Sequence, residues 1–290
     1  NKDGITVDGK RYTTNDKQTN LPSNHIRDMA IDKQGRVWIA TWGGGLAYTI
    51  PKVGKAPLFK VILNNGLNES RIYSLSLSSS GYLYAATYNG LYIIDTNKKD
   101  FSEDNILNFN VENKQLPTDE ITTIKAIGDD TLWMGTTGYG ALKVTFNAEK
   151  KTISYVTIDH SNGLPNDNII SIAKGDGNNI WLGTEEGLAL VDGTNLWAKS
   201  YMPSTNVFGN MVSSIGILEL SNGTVLFATN DGVAIIDGNT KLETSKETSI
   251  PHISDILING KSMFGEELIK QNPLGHQEMS VAHNQGNIRF

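Results

Sequence analysis

The chain alternates short apolar runs with polar turns, and its apolar residues nowhere recur with the 3.6-residue spacing of an amphipathic helix. Five of these runs share one form, in which bulky or aromatic residues are followed by a small or apolar residue and a closing threonine. The five runs are residues 37–41, 83–87, 132–136, 180–184 and 225–229. Their threonines are 45 to 49 residues apart, so the pattern indicates an internal repeat.

Further apolar runs surround the central one in each repeat. A glycine follows each threonine and precedes a third run, at Gly45, Gly90, Gly140, Gly187 and Gly232. Another run lies upstream, and a fourth follows at residues 59–63, 106–111 and 153–158. Four strands per repeat are typical of a β-propeller blade, whereas a β-sandwich or barrel has no reason to repeat one motif five times. We therefore predict an all-β fold of four-stranded propeller blades, with five full repeats and a half blade near residues 3–13.

A second recurring element precedes the first strand of each of the first four repeats. One of its positions holds side chains that bond to turn backbone, namely Asn24, Ser70, Asp119 and Asp167. We expect this position to be structural. The residue just before the strand varies, and is His25, Arg71, Glu120, Asn168 or Met211. Because this residue varies while the motif around it is constant, we consider this second position a candidate for determining ligand specificity.

These motifs resemble a known repeat. Leu-Pro-x-Asn-x-Ile, followed by Trp-Leu-Gly-Thr and Gly-Leu, resembles the two-component regulator propeller repeat, most closely at residues 164–188. Residues 251–261 and 284–290 resemble the first strands of the triple-tyrosine β-sandwich domain that follows such propellers. The resemblance implies propeller blades over residues 1–246, as part of a seven-bladed ring, and the truncated start of an Ig-like triple-tyrosine domain over residues 247–290.

The same resemblance implies a function. It points to the periplasmic sensor region of a Bacteroidetes hybrid two-component system, a sensor histidine kinase joined to a response regulator beyond a membrane helix outside this chain. Many members of that family sense oligosaccharides, so we expect an oligosaccharide ligand whose binding rearranges the domains. A homodimer through the sensor region is expected as well. The region itself is expected to be non-catalytic.

Two loops of each blade are expected to share one face. Because strands alternate in direction, the loop before the first strand lies beside the loop between the second and third strands. The ligand-binding candidates in these loops are His25, Trp42, Arg71, Tyr88, Tyr139 and Glu185. Aromatic rings can stack on sugars while polar neighbours bond the hydroxyls. Alternatively, Trp42 and Tyr139 pack on adjacent blades, as we expect of the strand residues Trp38, Trp133 and Trp181.

Composition narrows the function classes. The net charge is −6, with 25 Lys and Arg scattered among 31 Asp and Glu, which gives no basic face for nucleic acid or a membrane surface. There is no cysteine, and five dispersed histidines form no metal motif, so we expect no metal and no cofactor. A protein-interaction scaffold is one alternative function. A propeller glycosidase or calcium-dependent lactonase that uses loop carboxylates is another.

Overall fold

The computed structural model describes most of the N-terminal part of the chain and short segments of the C-terminal part. The described residues are 3–62, 71–99, 101, 105–201, 212–220, 222–229, 232–236, 257–258, 261–262, 269–271, 277–279 and 288–289. The chain divides into two compact units, Asn1–Leu242 and Glu243–Phe290. Regular structure in the described residues is almost entirely β-strand, with one short 3-10 helix at His160–Asn162.

The first unit consists of antiparallel sheets that follow one another along the chain. A two-stranded sheet, β1 (Ile5–Val7) and β2 (Lys10–Tyr12), comes first. Blade 1 contains β3 (Ile26–Ile31), β4 (Val37–Thr41), β5 (Leu46–Thr49) and β6 (Lys60–Val61). Blade 2 contains β7 (Ile72–Leu77), β8 (Tyr82–Thr87), β9 (Gly90–Asp95) and β10 (Ile106–Phe109). In both blades neighbouring strands pair in chain order.

The next blades repeat this plan. Blade 3 contains β11 (Ile121–Ile127), β12 (Thr131–Thr136), β13 (Ala141–Asn147) and β14 (Thr152–Ile158). Blade 4 contains β15 (Ile169–Lys174), β16 (Asn179–Thr184), β17 (Gly187–Asp192) and β18 (Ala198–Tyr201). Blade 5 is described through β19 (Val212–Glu219), β20 (Val225–Thr229) and β21 (Gly232–Ile236). The predicted all-β propeller, with five repeats after a half blade, is confirmed.

The first strands of consecutive blades are neighbours in space. β3 contacts β7, β7 contacts β11, β11 contacts β15, and β15 contacts β19. The first strands therefore lie on the inside of the propeller, and the fourth strands lie on the outside. This order explains the weaker pattern of the outermost strands: β18 has no fully buried residue, and its Ala-Lys-Ser-Tyr sequence did not predict a strand.

The hydrophobic core lies between the blades. Trp38 of blade 1 packs against Leu83 and Tyr92 of blade 2 and is completely buried. Trp133 is 2% exposed and packs with residues of blade 4, and Trp181 packs on Phe227 of blade 5 with 5.4 Å between the ring centroids. The predicted place of these three tryptophans is therefore confirmed. Sheets that pack face to face cover the middle strands on both sides, which is why those strands are continuous apolar runs.

The second unit contains short strands. β22 (Leu257–Ile258) pairs with β23 (Lys261–Ser262) and with β26 (Ile288–Arg289), and β24 (Ile269–Gln271) pairs with β25 (Gln277–Met279). The remaining residues of the predicted sandwich strands, and the expected linker at residues 244–251, lie outside the described residues. The triple-tyrosine identity of this unit and the predicted boundary after residue 246 stay predictions.

Candidate ligand-binding face

One backbone hydrogen bond recurs in the first four blades and joins the two loops expected on one face. The residue after the blade threonine donates its N–H to the carbonyl of the residue before the first strand. The pairs are Trp42 to His25 at 2.9 Å, Tyr88 to Arg71 at 3.2 Å, Thr137 to Glu120 at 3.3 Å and Glu185 to Asn168 at 3.2 Å. The two loops of each blade therefore lie side by side, as predicted, and we call the surface they form the loop face.

The blade threonine fixes the turn beneath the loop face. Thr136 is fully buried, and its hydroxyl donates to the carbonyl of Gly140 at 2.7 Å. The same hydroxyl accepts the backbone N–H of Tyr139. Equivalent hydroxyl-to-glycine bonds are made in three other blades by Thr41, Thr87 and Thr184. A hydroxyl that closes the turn on its own blade explains why threonine recurs at this position.

The position held by Asn24, Asp119 and Asp167 has the structural role that was predicted. Each side chain accepts a backbone N–H from the segment after the preceding outermost strand, at 2.7 to 2.8 Å. Asp167 also bonds the Nδ1 of His160 at 3.0 Å, and this hydrogen bond raises the pKa of that exposed imidazole. Ser70, the counterpart in the second repeat, lies outside the described residues.

A β-bulge at the start of the first strand in each of the first four blades leaves one residue without a partner in the strand ladder. The pairing register shifts between Ile26 and Asp28 in blade 1 and between Ile72 and Ser74 in blade 2. The bulged residues of the first four blades are Arg27, Tyr73, Thr122 and Ile170. Bulges redirect side chains and are frequent beside functional sites. These residues could not be predicted from the sequence, because a bulge is a property of strand pairing.

Two arginines and three aromatic rings meet where blade 1 adjoins blade 2. The Arg71 guanidinium lies 5.0 Å from the ring of Trp42 and 5.9 Å from that of Tyr88. The Arg27 guanidinium lies 5.5 Å from the ring of Trp42 and 5.7 Å from that of Tyr73. The rings of Trp42 and Tyr73 meet edge to face, with 5.4 Å between centroids. We call these five residues the arginine–aromatic cluster.

The structure brings together three of the six predicted candidates and places the others beside them or farther round the loop face. Trp42, Arg71 and Tyr88 belong to the cluster, and an isolated β-bridge joins Trp42 to Arg71 across the two blades. His25 is exposed next to it. The other two candidates lie in the loops of later blades: Tyr139 of blade 3 is 51% exposed, and Glu185 of blade 4 accepts a hydrogen bond from Asn168 at 2.8 Å. Arg27 and Tyr73 were missed.

Charge is distributed unevenly over the loop face. Blades 1 and 2 carry Arg27 at the start of β3 and Arg71 just before β7, whereas the corresponding loops of blades 3 and 4 carry Glu120 and Glu185. Tyr73 lies near the boundary: burial raises the pKa of its hydroxyl, Arg71 and Arg27 lower it, and Glu120 raises it, with a net rise. The face is therefore cationic and aromatic on one side and acidic on the other.

No group of three or more His, Asp or Glu side chains within the described part of the chain is placed to hold a metal ion. Among the same residues, no helix has the length and apolar character needed to cross a membrane. Positions 211, 230 and 231, which we predicted to belong to the loops of blade 5, lie outside the described residues.

Comparisons with known families agree with the repeat structure. Residues 20–43 and 163–186 match the two-component regulator propeller model. Over 212 residues the chain is 27% identical to Histidine kinase P4 of Formosa agariphila, which corresponds to 71% of this chain and 15% of the relative. The chain therefore spans only a small part of the length of that curated relative.

Solved structures share the fold. The WD40 β-propeller domain of Doa1 superposes with a TM-score of 0.54 at 13% identity, over 74% of this chain and 66% of that chain. The extracellular domain of a putative hybrid two-component system from B. thetaiotaomicron gives a TM-score of 0.47 at 18% identity, over 88% of this chain and 38% of that chain. The superposition on the Doa1 domain supports a propeller fold.

Proposed function

Because this chain carries two-component regulator propeller repeats, we propose that it is part of the ligand-sensing region of a hybrid two-component signalling protein and that its loop face binds an oligosaccharide. The alignment with a histidine kinase supports the signalling role. Its 15% coverage of that relative leaves ample length for a kinase outside this chain. We place the region on the periplasmic side, where an oligosaccharide released outside the cell reaches it.

The exposed rings of the loop face carry this proposal. Tyr88 is 50% exposed and Tyr139 is 51% exposed, both in loops that connect second and third strands. Half-exposed rings held by hydrogen-bonded loops offer flat apolar surfaces, and the guanidinium and carboxylate groups beside them can bond hydroxyls. This combination of flat rings and polar neighbours suits a sugar chain that lies across several blades.

Signalling requires that the ligand prefer one arrangement of the protein over another. Only a difference in affinity between two states shifts their populations, so a ligand that binds both equally transmits nothing. We propose that the bound oligosaccharide favours one arrangement of the propeller relative to the following domain, and of two protomers within a homodimer. The kinase outside this chain would respond to that arrangement.

The experiment is calorimetry of this chain against a panel of defined oligosaccharides, with Tyr88→Ala and Tyr139→Ala as test variants. Tyr155→Ala is the matched control, because Tyr155 is an exposed tyrosine on the outermost strand of blade 3. We expect at least one test variant to weaken binding about tenfold, a loss at the lower end of the roughly 1–3 kcal/mol that stacking of a nucleic-acid base on one aromatic ring contributes. Equal binding by all three variants, or no binding by any glycan, would overturn the proposal and favour a protein-interaction scaffold.

A further inference from the structure

The structure assigns a more specific ligand class to the loop face: we propose that Arg27 and Arg71 bind an acidic substituent of the oligosaccharide, either a carboxylate or a sulfate. This inference rests on the proposed function and narrows it. It depends on the arginine–aromatic cluster, in which two guanidinium groups share the ring of Trp42. Such paired cations are the chemistry that recognises oxyanions, through two parallel N–H bonds from each planar fork.

Another arginine of this protein, Arg36, also lies against aromatic rings but has a structural role, and it can be compared with Arg27 and Arg71. Arg36 lies 5.0 Å from the ring of Phe101, but it is buried and pairs with Asp32. It also donates to the carbonyls of Thr96 and Lys98 and to the Gln34 side chain, so four of its five N–H groups have partners within the fold. An arginine with this set of partners serves stability and has few donors left for a ligand.

Arg27 and Arg71 differ from Arg36 in both burial and partners. Both are exposed, and neither forms an ion pair with a carboxylate of the described residues. Their contacts within the described residues are the faces of aromatic rings. A ring face contacts the flat side of a guanidinium and leaves the N–H groups at its edge available. The cluster therefore brings two exposed guanidinium groups to the ring of Trp42, with no carboxylate partner among the described residues.

Hydrogen bonds join blades 1 and 2 beside the cluster. Asp28 of blade 1, which follows Arg27 in the chain, accepts hydrogen bonds from the Ser74 hydroxyl at 3.1 Å and from the Leu75 backbone at 2.7 Å, and so ties β3 to β7. The β-bridge between Trp42 and Arg71 adds a second tie. Groups held in place before binding lose less conformational entropy when the ligand arrives, which favours affinity for an anion.

The test uses two pairs of probes that differ in charge. One pair is trigalacturonic acid and its fully methyl-esterified form, and the other is a sulfated disaccharide and its desulfated counterpart. We expect the acidic member of at least one pair to bind this chain about tenfold more tightly than its neutral partner, since hydrogen bonds to a charged group are stronger than those between neutral groups. The pair that shows the difference identifies the oxyanion as carboxylate or sulfate.

Substitutions of the two arginines test whether the arginine–aromatic cluster causes the difference in affinity between acidic and neutral probes. Arg27→Gln and Arg71→Gln should each weaken binding of the acidic probe about tenfold and leave any binding of the neutral probe unchanged. Arg71→Lys keeps the charge but loses the planar fork, and should recover only part of the affinity. Lys150→Gln is the matched control, because it removes an exposed cation at a β13–β14 turn, on the opposite side of blade 3 from the loop face.

The outcomes separate this inference from the proposed function. If neutral glycans bind as well as acidic ones, and Tyr88→Ala weakens both, then oligosaccharide binding stands and the oxyanion site is overturned. If the acidic preference is unchanged in both arginine variants, the oxyanion site is again overturned. If no glycan of either charge binds, both proposals fail together. Circular dichroism and urea midpoints of the variants show that a loss of binding is not a loss of folding.

Discussion

The backbone N–H of Gly140 donates to the carbonyl oxygen of Asp167 at 2.9 Å, and this bond joins blade 3 to the segment that leads into blade 4. Gly90 makes the same bond to Asp119, and Gly4 makes it to Asn24. The blades are therefore connected near the loop face by main-chain hydrogen bonds, as well as by the hydrophobic core between them.

Gly140→Ala should destabilise the protein strongly. The φ angle of Gly140 is +69°, and an added Cβ would lie 2.2 Å from the carbonyl oxygen of Ile158 in the neighbouring strand. We expect urea denaturation to show a loss of about 3 kcal/mol, because the strain of a positive φ adds to a backbone clash. Gly128→Ala is the matched control: its φ is +84°, but the space around it is open, so it should lose only about 1 kcal/mol. If both variants lost the same free energy of unfolding, the backbone near residue 140 would have moved to relieve the clash, and the prediction would be wrong.

Thr136→Val tests the hydroxyl that fixes the turn of blade 3. Valine keeps the shape of threonine but removes the donor to Gly140 and the acceptor for Tyr139. The free energy of unfolding should fall by about 1–2 kcal/mol, because the Tyr139 N–H loses its acceptor and the Gly140 carbonyl keeps only the backbone N–H of residue 136. Thr137→Val, at the exposed neighbouring position, should change it by less than about 0.5 kcal/mol. A similar loss in both variants would argue against a special role for the buried hydroxyl.

The ion pair of Asp32 and Arg36 should make stability depend on pH. Burial alone raises the pKa of Asp32, but hydrogen bonds from Trp38 and Arg36 outweigh it and leave the pKa below its usual value. A carboxyl with a lower pKa in the folded state stabilises the protein above its unfolded-state pKa of about 3.9. That contribution is lost as the pH falls through the lower folded-state pKa.

Asp32→Asn isolates this contribution from the other carboxylates. At pH 7 the variant should be less stable by about 3–5 kcal/mol, because Arg36 remains buried without its counter-charge. The difference between variant and wild type in urea denaturation should shrink as the pH falls from 5 to about 2. A difference that is independent of pH over this range would contradict the assigned role of the carboxylate.

Asp167→Asn should lower the pKa of His160. The hydrogen bond and the charge of Asp167 both favour the protonated imidazole, and Asp159 adds a smaller effect of the same sign. Protonation of His160 therefore favours the folded state, an effect that fades as the pH rises through the raised pKa. An NMR titration of the His160 ring in both proteins measures the shift directly. An unchanged pKa would mean that the pair does not form in solution.

The sequence predicted the blades well because of how their middle strands are buried. Strands such as β16, covered on both faces, need an unbroken apolar run, and the turn before the first strand needs a side chain like that of Asp167. Both requirements are local and can be recognised from a repeat. The outermost β18 has one exposed edge and carries a weaker pattern.

The candidate site was predicted less completely, for a physical reason. The sequence indicated Trp42 and Arg71 separately, as loop residues of two different repeats. Their contact, and the addition of Arg27 and Tyr73, depends on the packing of one blade against the next and on a shift in strand register. Neither quantity is encoded in the spacing of apolar residues within one repeat.

The bulge at the start of each first strand has a consequence for evolution. A bulged residue has no opposite partner in the strand ladder, so Arg27 and Tyr73 can be exchanged without disturbing the pairing that holds each blade together. Ligand preference in such a propeller can therefore diverge through single substitutions, one blade at a time, without insertions or remodelled loops. Related propellers with the same scaffold would then differ mainly in the side chains at these few positions.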